Sequence, residues 1–293
     1  VERRLFVLVS GEYFHAELVG GKLENVAFVK NYRQNVRIES LDPSVDQVLV
    51  DERSVSEFGA GNGLRYEWSE RFSTKLSYEF AYRLPRLDEI FGDGQFIQEN
   101  LELRPENSHN INLQWNYTGR ETARVQWQLQ GNFFLRRVYV LIFLLINADE
   151  FGSFQNVCSA TSEGVEFGGS VSNIVKGLTL SANTTYQDYR NTSDTGPFTA
   201  FNGDRIPNVP YFFVNGAAEY AFKGLFWKGD GLSLFWNLRH VGGFFVGWES
   251  AGLQQFKAEV PDQTVQNAGV TYRMELGKLQ NSITLEGQNL ANA

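Results

Sequence analysis

Two segments of the sequence concentrate the side chains that bind polar ligands. Residues 85–106 carry arginine, carboxylate, amide and phenylalanine side chains, and residues 191–209 mix phenylalanine with amides, carboxylates and arginine. The mixture at 191–209 is typical of a sugar or catecholate pocket, which uses ring contacts and charged hydrogen bonds, and residues 85–106 are a second candidate for ligand contact. We therefore select a candidate ligand-binding set: Arg86, Glu89, Phe91, Asp93, Asn100, Phe201, Asn202 and Arg205. For residues 191–209, a solvated loop explains the same composition.

Residues 85–106 also have a structural interpretation. Proline fixes φ, and glutamate–arginine pairs tie a loop to its neighbours. The residues that would hold the segment in this way form a structural set: Arg83, Pro85, Glu89, Gly92, Pro105 and Glu106. Glu89 belongs to both sets, so the two interpretations compete for it.

Catalytic, metal and nucleic-acid chemistry find little support. The sequence has no nucleophile elbow, and His15, His109, His240 and the lone Cys158 are too scattered for a metal cluster. The net charge is −8 and no basic stripe appears, which argues against a nucleic-acid partner. We predict a protein that is not an enzyme and that carries neither cofactor nor metal.

A two-residue alternation dominates the segments between these loops. In residues 111–117, apolar side chains at odd positions alternate with Asn112, Gln114 and Asn116, and residues 125–133 repeat the pattern with glutamines. Successive strand side chains point to opposite faces, so each segment has one apolar and one amide-rich face. A soluble β-sandwich produces similar alternation, but an amide-rich second face favours a membrane barrel around a water-filled lumen.

Hydropathy agrees with a barrel. Hydrophobic residues make up 42% of the chain, and the longest apolar run, Val138 to Ile146, is nine residues, too short to cross a bilayer as a helix. The fold class predicted is therefore all-β, an antiparallel transmembrane β-barrel.

The alternating segments predict about twelve strands, at 4–18, 24–40, 56–68, 72–84, 107–118, 122–143, 154–174, 177–190, 210–222, 231–246, 263–275 and 281–290. Short connections are predicted around 20–21, 69–71, 119–121, 175–177, 223–230 and 276–279. Long connections are predicted at 41–55, 85–106, 144–153, 191–209 and 247–262. Outer-membrane barrels have short periplasmic turns and long extracellular loops, so we expect the two kinds of connection on opposite rims.

Residues 80–108 resemble a known family. The run FAYRLPRLDEIFGDG followed by ENLELRPENSHNINL is similar to the barrel signature of TonB-dependent outer-membrane receptors. Further segments match in order: RRVYVLIFL, FQNVCSATSEGVEFGGS, GDRIPNVPYFFVNGAAEY and SITLEGQNLANA. A signature shared by receptors of many ligands is poorly suited to selecting one of them, which favours the structural interpretation of residues 85–106.

The resemblance implies a domain assignment and a function. Residues 1–293 would be the C-terminal portion of a 22-stranded barrel, without its plug domain and last strand. The whole receptor would lie in the bacterial outer membrane and import a scarce ligand, foremost a ferric siderophore, otherwise cobalamin, haem or a glycan. Its partners would be outer-membrane lipid, the remaining strands and plug, and the TonB complex acting through that plug.

Two alternatives differ in class from an importer. In the first, the chain is a structural or split-barrel subunit of an outer-membrane assembly and transports nothing. In the second, it is a passive 12-stranded porin, which requires the strand at 4–18 to pair with the strand at 281–290. Because open strand edges in lipid are costly, we expect instead that both edge strands pair with polypeptide outside this sequence.

Overall fold

The computed structural model describes residues 2–18, 20–42, 47–120, 124–146, 151–276 and 279–290 as an almost all-β chain. The strands are β1 (Glu2–Leu18), β2 (Gly21–Asp42), β3 (Gln47–Ser69), β4 (Phe72–Arg83), β5 (Ile97–Gln98), β6 (Glu106–Thr118), β7 (Gln126–Ile146), β8 (Gly152–Ser172), β9 (Leu178–Asn191), β10 (Phe212–Lys223), β11 (Gly231–Val241), β12 (Phe244–Phe245), β13 (Glu259–Val260), β14 (Gln263–Leu276) and β15 (Leu279–Gly287). The helical segments are α1 (Leu87–Phe91) and two 3₁₀ turns, Thr199–Phe201 and Gln254–Phe256. Within the described ranges, no helix is both long and apolar enough to span a membrane.

The long strands form one sheet in chain order. β1 to β4, β6 to β11, β14 and β15 pair antiparallel with their sequence neighbours, β5 adds a parallel pair to β8, and β12 pairs with β13 separately. The predicted fold class is confirmed. Consecutive antiparallel pairing places the connections at 85–106, 191–209 and 247–262 on one rim and that at 175–177 on the other, as predicted. The connections predicted at 119–121 and 276–279 lie partly outside the described residues, but the strand ends that flank them are on the same rim as 175–177.

The sheet is an open wall, a partial barrel. Among the described residues, β1 pairs only with β2 and β15 only with β14. The described parts of β1 and β15 are therefore not paired with each other, as the closed ring of the passive-porin alternative would require.

The register separates two chemically distinct faces. Directly opposed residues of neighbouring strands share a face. One row across β7 to β10 contains Trp127, Val171, Leu180 and Ala218. A row on the other face contains Gln130, Gly168, Asn183 and Asn215. The pairing thus carries the predicted apolar and amide faces across strands that are distant in sequence.

The prediction is wrong for two of the long loops, 41–55 and 144–153. β2 continues to Asp42 and β3 begins at Gln47 inside the predicted loop 41–55, while β7 and β8 extend to Ile146 and from Gly152 at the predicted loop 144–153. Each of these strands keeps a hydrogen-bonded partner over the added length, and this pairing outweighs the weak strand propensity of residues such as Asp42 and Asp51. Residues 43–46 and 147–150 lie outside the described residues.

Strand ends differ from the prediction at two further places. The predicted strand 231–246 stops at Val241, because Gly242 and Gly243 interrupt it before the short strand β12. β7 begins at Gln126, so residues 124 and 125 of the predicted strand 122–143 are not part of it, and residues 121–123 lie outside the described residues.

Candidate functional site

Three charged residues join both ends of the connection between β4 and β6. The Arg83 guanidinium donates to both carboxylate oxygens of Glu106, at 2.6 and 2.7 Å, and its Nη1 donates to Glu89 at 2.9 Å. Glu89 and Glu106 are buried, at 4% and 3% exposure. Because Glu106 also accepts the Ile142 backbone N–H at 2.7 Å, the cluster fastens the connection to β7 as well. We call residues 84–105 the inner loop.

Local sequence explains how Glu89 reaches Arg83. The side chain of Glu89 accepts the backbone N–H of Arg86 at 2.8 Å, which satisfies a free donor at the start of α1. Gly92 ends the helix with φ = +64°, and a Cβ there would overlap the Ile97 carbonyl. Glycine is therefore required at this turn.

The inner loop is anchored to the amide-rich face of the wall at both sides. Ile90 and Leu103 pack with Val36 of β2 and Ile142 of β7 in a buried cluster. The loop is also hydrogen-bonded to distant strands. Gln34 Nε2 donates to the Pro85 carbonyl at 2.9 Å. Asn156 accepts the Arg104 backbone N–H at 2.7 Å and donates to the Arg104 carbonyl at 2.9 Å. The loop thus spans the inner face from β2 to β8.

The sequence alone does not indicate a role for Gln34 or Asn156. Each is separated from its loop partner by about fifty positions, at |i−j| of 51 and 52. No local pattern marks either residue, because its role arises only when distant strands come together. Pro85 of the predicted structural set is fully buried, and Pro105 is partly buried.

The five candidate ligand residues in the inner loop differ in how far they are already engaged. Glu89 is buried in the charged cluster, and Phe91 packs against the Ile90 cluster. Asn100 donates to the Phe154 carbonyl at 2.8 Å and accepts from Glu102 N at 3.0 Å. The side chain of Arg86 is 61% exposed and pairs with Asp88 at 2.8 Å. Arg86 is therefore the most accessible of these four to a ligand.

Asp93 has a distinct arrangement at the tip of the inner loop. Its Oδ1 accepts the backbone N–H groups of Ile97, Gln95 and Phe96 at 2.8 to 2.9 Å. These donors stabilise the carboxylate, first Ile97 and then Gln95, and lower the pKa of Asp93 below its ordinary value.

The other rim loops form an aromatic cluster. Phe198 is buried against Leu141, Phe143, Phe201 and Trp248. The rings of Phe201 and Trp248 stack in parallel, with centroids 5.0 Å apart and an interplanar angle of 2°. Phe198 lies 5.2 Å from Trp248. The cluster joins loop 192–211 to loop 242–262, and we call these two loops together the outer clasp.

Arg205 supplies the polar half of the outer clasp. Its Nε donates to Asp188 at 2.9 Å, its Nη1 lies 3.9 Å from Glu249, and its guanidinium lies 4.0 Å from the centre of the Tyr211 ring. Burial alone would lower the pKa of Arg205, but the hydrogen bond and charge of Asp188 outweigh it and raise that pKa. Beside it, Asp204 accepts both the N–H and the hydroxyl of Ser250, at 2.8 and 2.6 Å.

The two clusters lie on opposite faces of the β7–β8 hairpin. Ile142 packs into the inner-loop cluster, whereas its chain neighbours Leu141 and Phe143 pack into the outer clasp. Side chains of consecutive strand residues alternate between faces. The candidate ligand residues Phe201, Asn202 and Arg205 are thus separated from the five on the inner loop, and the structure does not gather the eight into one pocket. Their ligand-binding role stays a prediction.

Below the inner loop, the inner wall contains polar grooves. One groove of about 430 Å³ is lined by residues that include Gln114, Asn132, Glu166 and Asn183. Asn132 donates to Glu166 at 3.0 Å, while its buried Oδ1 has no hydrogen-bond partner among the residues that the structure describes. In the part of the chain that the structure describes, no group of three His, Cys, Asp or Glu residues is placed to hold a metal ion. The wall offers amides and isolated charges to whatever fills the lumen.

Comparison with known proteins identifies the fold. The family model described as TonB dependent receptor-like, beta-barrel matches residues 29–290. No curated protein sequence matches the chain significantly. The siderophore receptor PiuA from Acinetobacter baumannii is 16% identical with a TM-score of 0.65, over 99% of this chain and 40% of PiuA. The ferric enterobactin receptor PfeA from Pseudomonas aeruginosa is 15% identical with a TM-score of 0.63, over 98% of this chain and 49% of PfeA.

The fold is not confined to siderophore receptors. The copper transporter OprC is 14% identical with a TM-score of 0.66, over 99% of this chain and 44% of OprC. At such identities the likeness shows the fold alone. The chain spans half or less of the length of these three structures.

Proposed function

Because this chain belongs to the TonB-dependent receptor β-barrel family, we propose that it forms the C-terminal barrel wall of a receptor that imports a ferric siderophore with energy delivered by TonB. Family and fold make it part of an outer-membrane receptor or transporter, located in the bacterial outer membrane. We propose no enzymatic step. The plug, the remaining strands and the TonB complex are the partners that this function requires.

The observation that carries the proposal is that the two faces of the wall differ in chemistry, one apolar and the other polar. The apolar rows suit contact with lipid, while the opposite face combines amide-lined grooves with a loop anchored across it. A passage lined with neutral amides and a few charges suits a polar ligand that must enter and leave without binding too strongly.

The ligand class rests on similarity and on rim chemistry. Solved proteins with this fold include receptors named for ferric preacinetobactin, ferric catecholates and ferric enterobactin. Arginines and aromatic rings at the rim, such as Arg86 and Phe201, suit anionic and aromatic chelators. Cobalamin, haem and glycans are the ligands that the test must distinguish from siderophores.

Growth of a strain that lacks the gene tests the proposal directly. Under iron limitation, we expect the deletion to abolish growth on one siderophore class and to leave growth on haem iron, cobalamin and glycans unchanged. A strain that retains the gene but lacks TonB should show the same loss. Restored growth through another ligand class would replace the siderophore assignment, and unimpaired growth on every source would support the structural-subunit alternative.

A further inference from the structure

An arginine lies on the apolar face of the wall. Arg137 of β7 is opposed by His109 of β6 and Thr161 of β8. Leu135 and Phe133 lie on the same face of β7, two and four residues before Arg137. A charged side chain near the middle of this face would destabilise the barrel by about 2 to 4 kcal/mol, whereas near either interface the cost falls to about 0 to 1 kcal/mol.

The height of Arg137 can be estimated from the aromatic residues at the short-turn rim. There, the rings of Tyr117 and Trp127 lie 5.1 Å apart. His109 precedes Tyr117 by eight residues on β6. At roughly 3.3 Å per residue and a tilt of about 40°, this distance is about 20 Å along the membrane normal, against an apolar band of about 25 Å. Arg137 and His109 therefore lie near the outer interface.

Aromatic side chains surround the pair. The Tyr78 hydroxyl lies 2.8 Å from His109 Nδ1, and the rings of Phe80 and Tyr139 lie 4.9 and 5.9 Å from the imidazole. When Tyr78 donates to Nδ1, the imidazole proton is on Nε2, which then remains as a donor. Tyrosines at this height belong to the interfacial aromatic belt.

The charges around Arg137 leave its guanidinium available. Among the described residues, Arg137 has no hydrogen-bond or ion-pair partner, and its side chain is exposed. Along the described parts of β4 to β9, the acids on this face are Asp188, which already binds Arg190 and Arg205, and the exposed Glu163, which is opposed by Leu135 and Asp188. No ion pair joins Glu163 to Arg137 within the described part of the chain.

We propose that Arg137 and His109 bind a phosphate group of an outer-leaflet phosphoglycolipid, with Tyr78 and Tyr139 against its glycan–acyl boundary. A guanidinium matches phosphate oxygens in a bidentate geometry, and the imidazole adds a donor from the neighbouring strand. The site depends on the orientation of the barrel in the membrane and not on which ligand the receptor imports. Failure of the transport proposal would therefore leave it untouched.

Lipid-dependent thermal stability of the purified receptor tests the site. In detergent with EDTA, which removes cations that could bridge lipid to Glu163, we expect bis-phosphorylated lipid A to raise Tm, and the dephosphorylated lipid and inorganic phosphate to leave it unchanged. Arg137→Gln should weaken the apparent affinity for lipid A at least tenfold, and Arg137→Lys less. Arg136→Gln is the matched control, because Arg136 is also exposed but is opposed by Asn110 and Ser162 on the other face.

Several outcomes would overturn the site. Equal loss of affinity in Arg136→Gln would show a general charge effect, and an equal response to the dephosphorylated lipid would show that phosphate is not recognised. A full response to inorganic phosphate would indicate a soluble-anion site. Heat-shifted electrophoretic mobility should confirm that each variant is folded, and unchanged affinity in folded Arg137→Gln contradicts the proposal.

Discussion

The inner loop and the outer clasp occupy the same rim, yet different forces hold them. The inner loop depends on two buried carboxylates, Glu89 and Glu106, which are 4% and 3% exposed and share Arg83, itself 36% exposed. The outer clasp depends on stacked rings, with ion pairs whose carboxylates water still reaches, since Asp188 and Glu249 are 21% and 30% exposed. When one partner of a buried charged pair is removed, the loop loses much of its stability. A half-exposed ion pair contributes little by itself, so its loss loosens a loop only partly.

The largest effect is expected at Glu106. Glu106→Ala removes the main partner of Arg83 and the acceptor of the buried Ile142 N–H. Because Arg83 is 36% exposed and keeps Glu89, we expect the free energy of unfolding to fall by about 2 to 3 kcal/mol, less than for a fully buried pair. The measurement is denaturant-induced unfolding of the receptor in detergent. Arg86→Ala is the control, because it breaks an exposed pair of the same loop and should cost less than about 1 kcal/mol. Similar losses in both variants would remove the distinction between the two regions.

The aromatic half of the outer clasp should give an intermediate effect. Trp248→Ala deletes contacts with Phe143, Phe198 and Phe201, and we expect a loss of about 2 kcal/mol because the ring is only partly buried. Phe256→Ala, in the same loop with 77% exposure, should change stability by less than about 0.5 kcal/mol. Hydrogen exchange should localise the loosening caused by Trp248→Ala to loops 192–211 and 242–262. Loosening of the inner loop as well would contradict the separation of the clusters.

The polar half of the clasp should contribute less. A double-mutant cycle of Arg205→Gln and Asp188→Asn measures their coupling, for which we expect about 0.5 to 1 kcal/mol because both side chains are about one-fifth exposed, at 23% and 21%. A coupling energy near that of a buried pair, several kcal/mol, would place the outer clasp in the same class as the inner loop.

The smallest effect is expected at Asp93 and depends on pH. Since the folded-state pKa of Asp93 is lowered, its carboxylate stabilises the folded protein above the unfolded pKa of about 3.9, and this contribution disappears as pH falls through the folded pKa. Asp93→Asn should therefore be less stable than the parent at pH 7 and equal to it at the acid end. Comparing their unfolding midpoints across this range checks the prediction, and a difference that persists in acid would assign the effect to geometry rather than charge.

The wall could be predicted from the sequence because alternation is a local property. Residues 111–117 contain enough of the period to fix both strand and faces, and the pairing of Leu113 with Leu76 and Phe133 repeats the same face across neighbours. The sequence also indicated the charged cluster of Arg83, Glu89 and Glu106, because these residues lie within or beside a single connection.

The sequence could not predict that the candidate ligand residues would lie in two groups on opposite faces of the β7–β8 hairpin. Val140 has φ = +60°, and the register between β7 and β8 shifts on either side of Leu141. Such an irregularity changes which face later residues occupy, and strict alternation cannot be extended through it. Whether Phe143 lies with Ile142 or with Phe198 was therefore decided by the bulges and not by the local sequence.

The long-range anchors of the inner loop also dictate an order of assembly. The loop is tied by hydrogen bonds to residues 34, 53, 154 and 156, across separations of 48 to 54 positions, and it packs against Ile142 of β7. Loop closure over such distances is costly until the intervening strands have paired, so the native contacts of residues 84–105 form after β2, β3, β7 and β8 have found their neighbours. The loop is consequently a late-folding element, and protection of its backbone amides reports that this part of the wall has assembled.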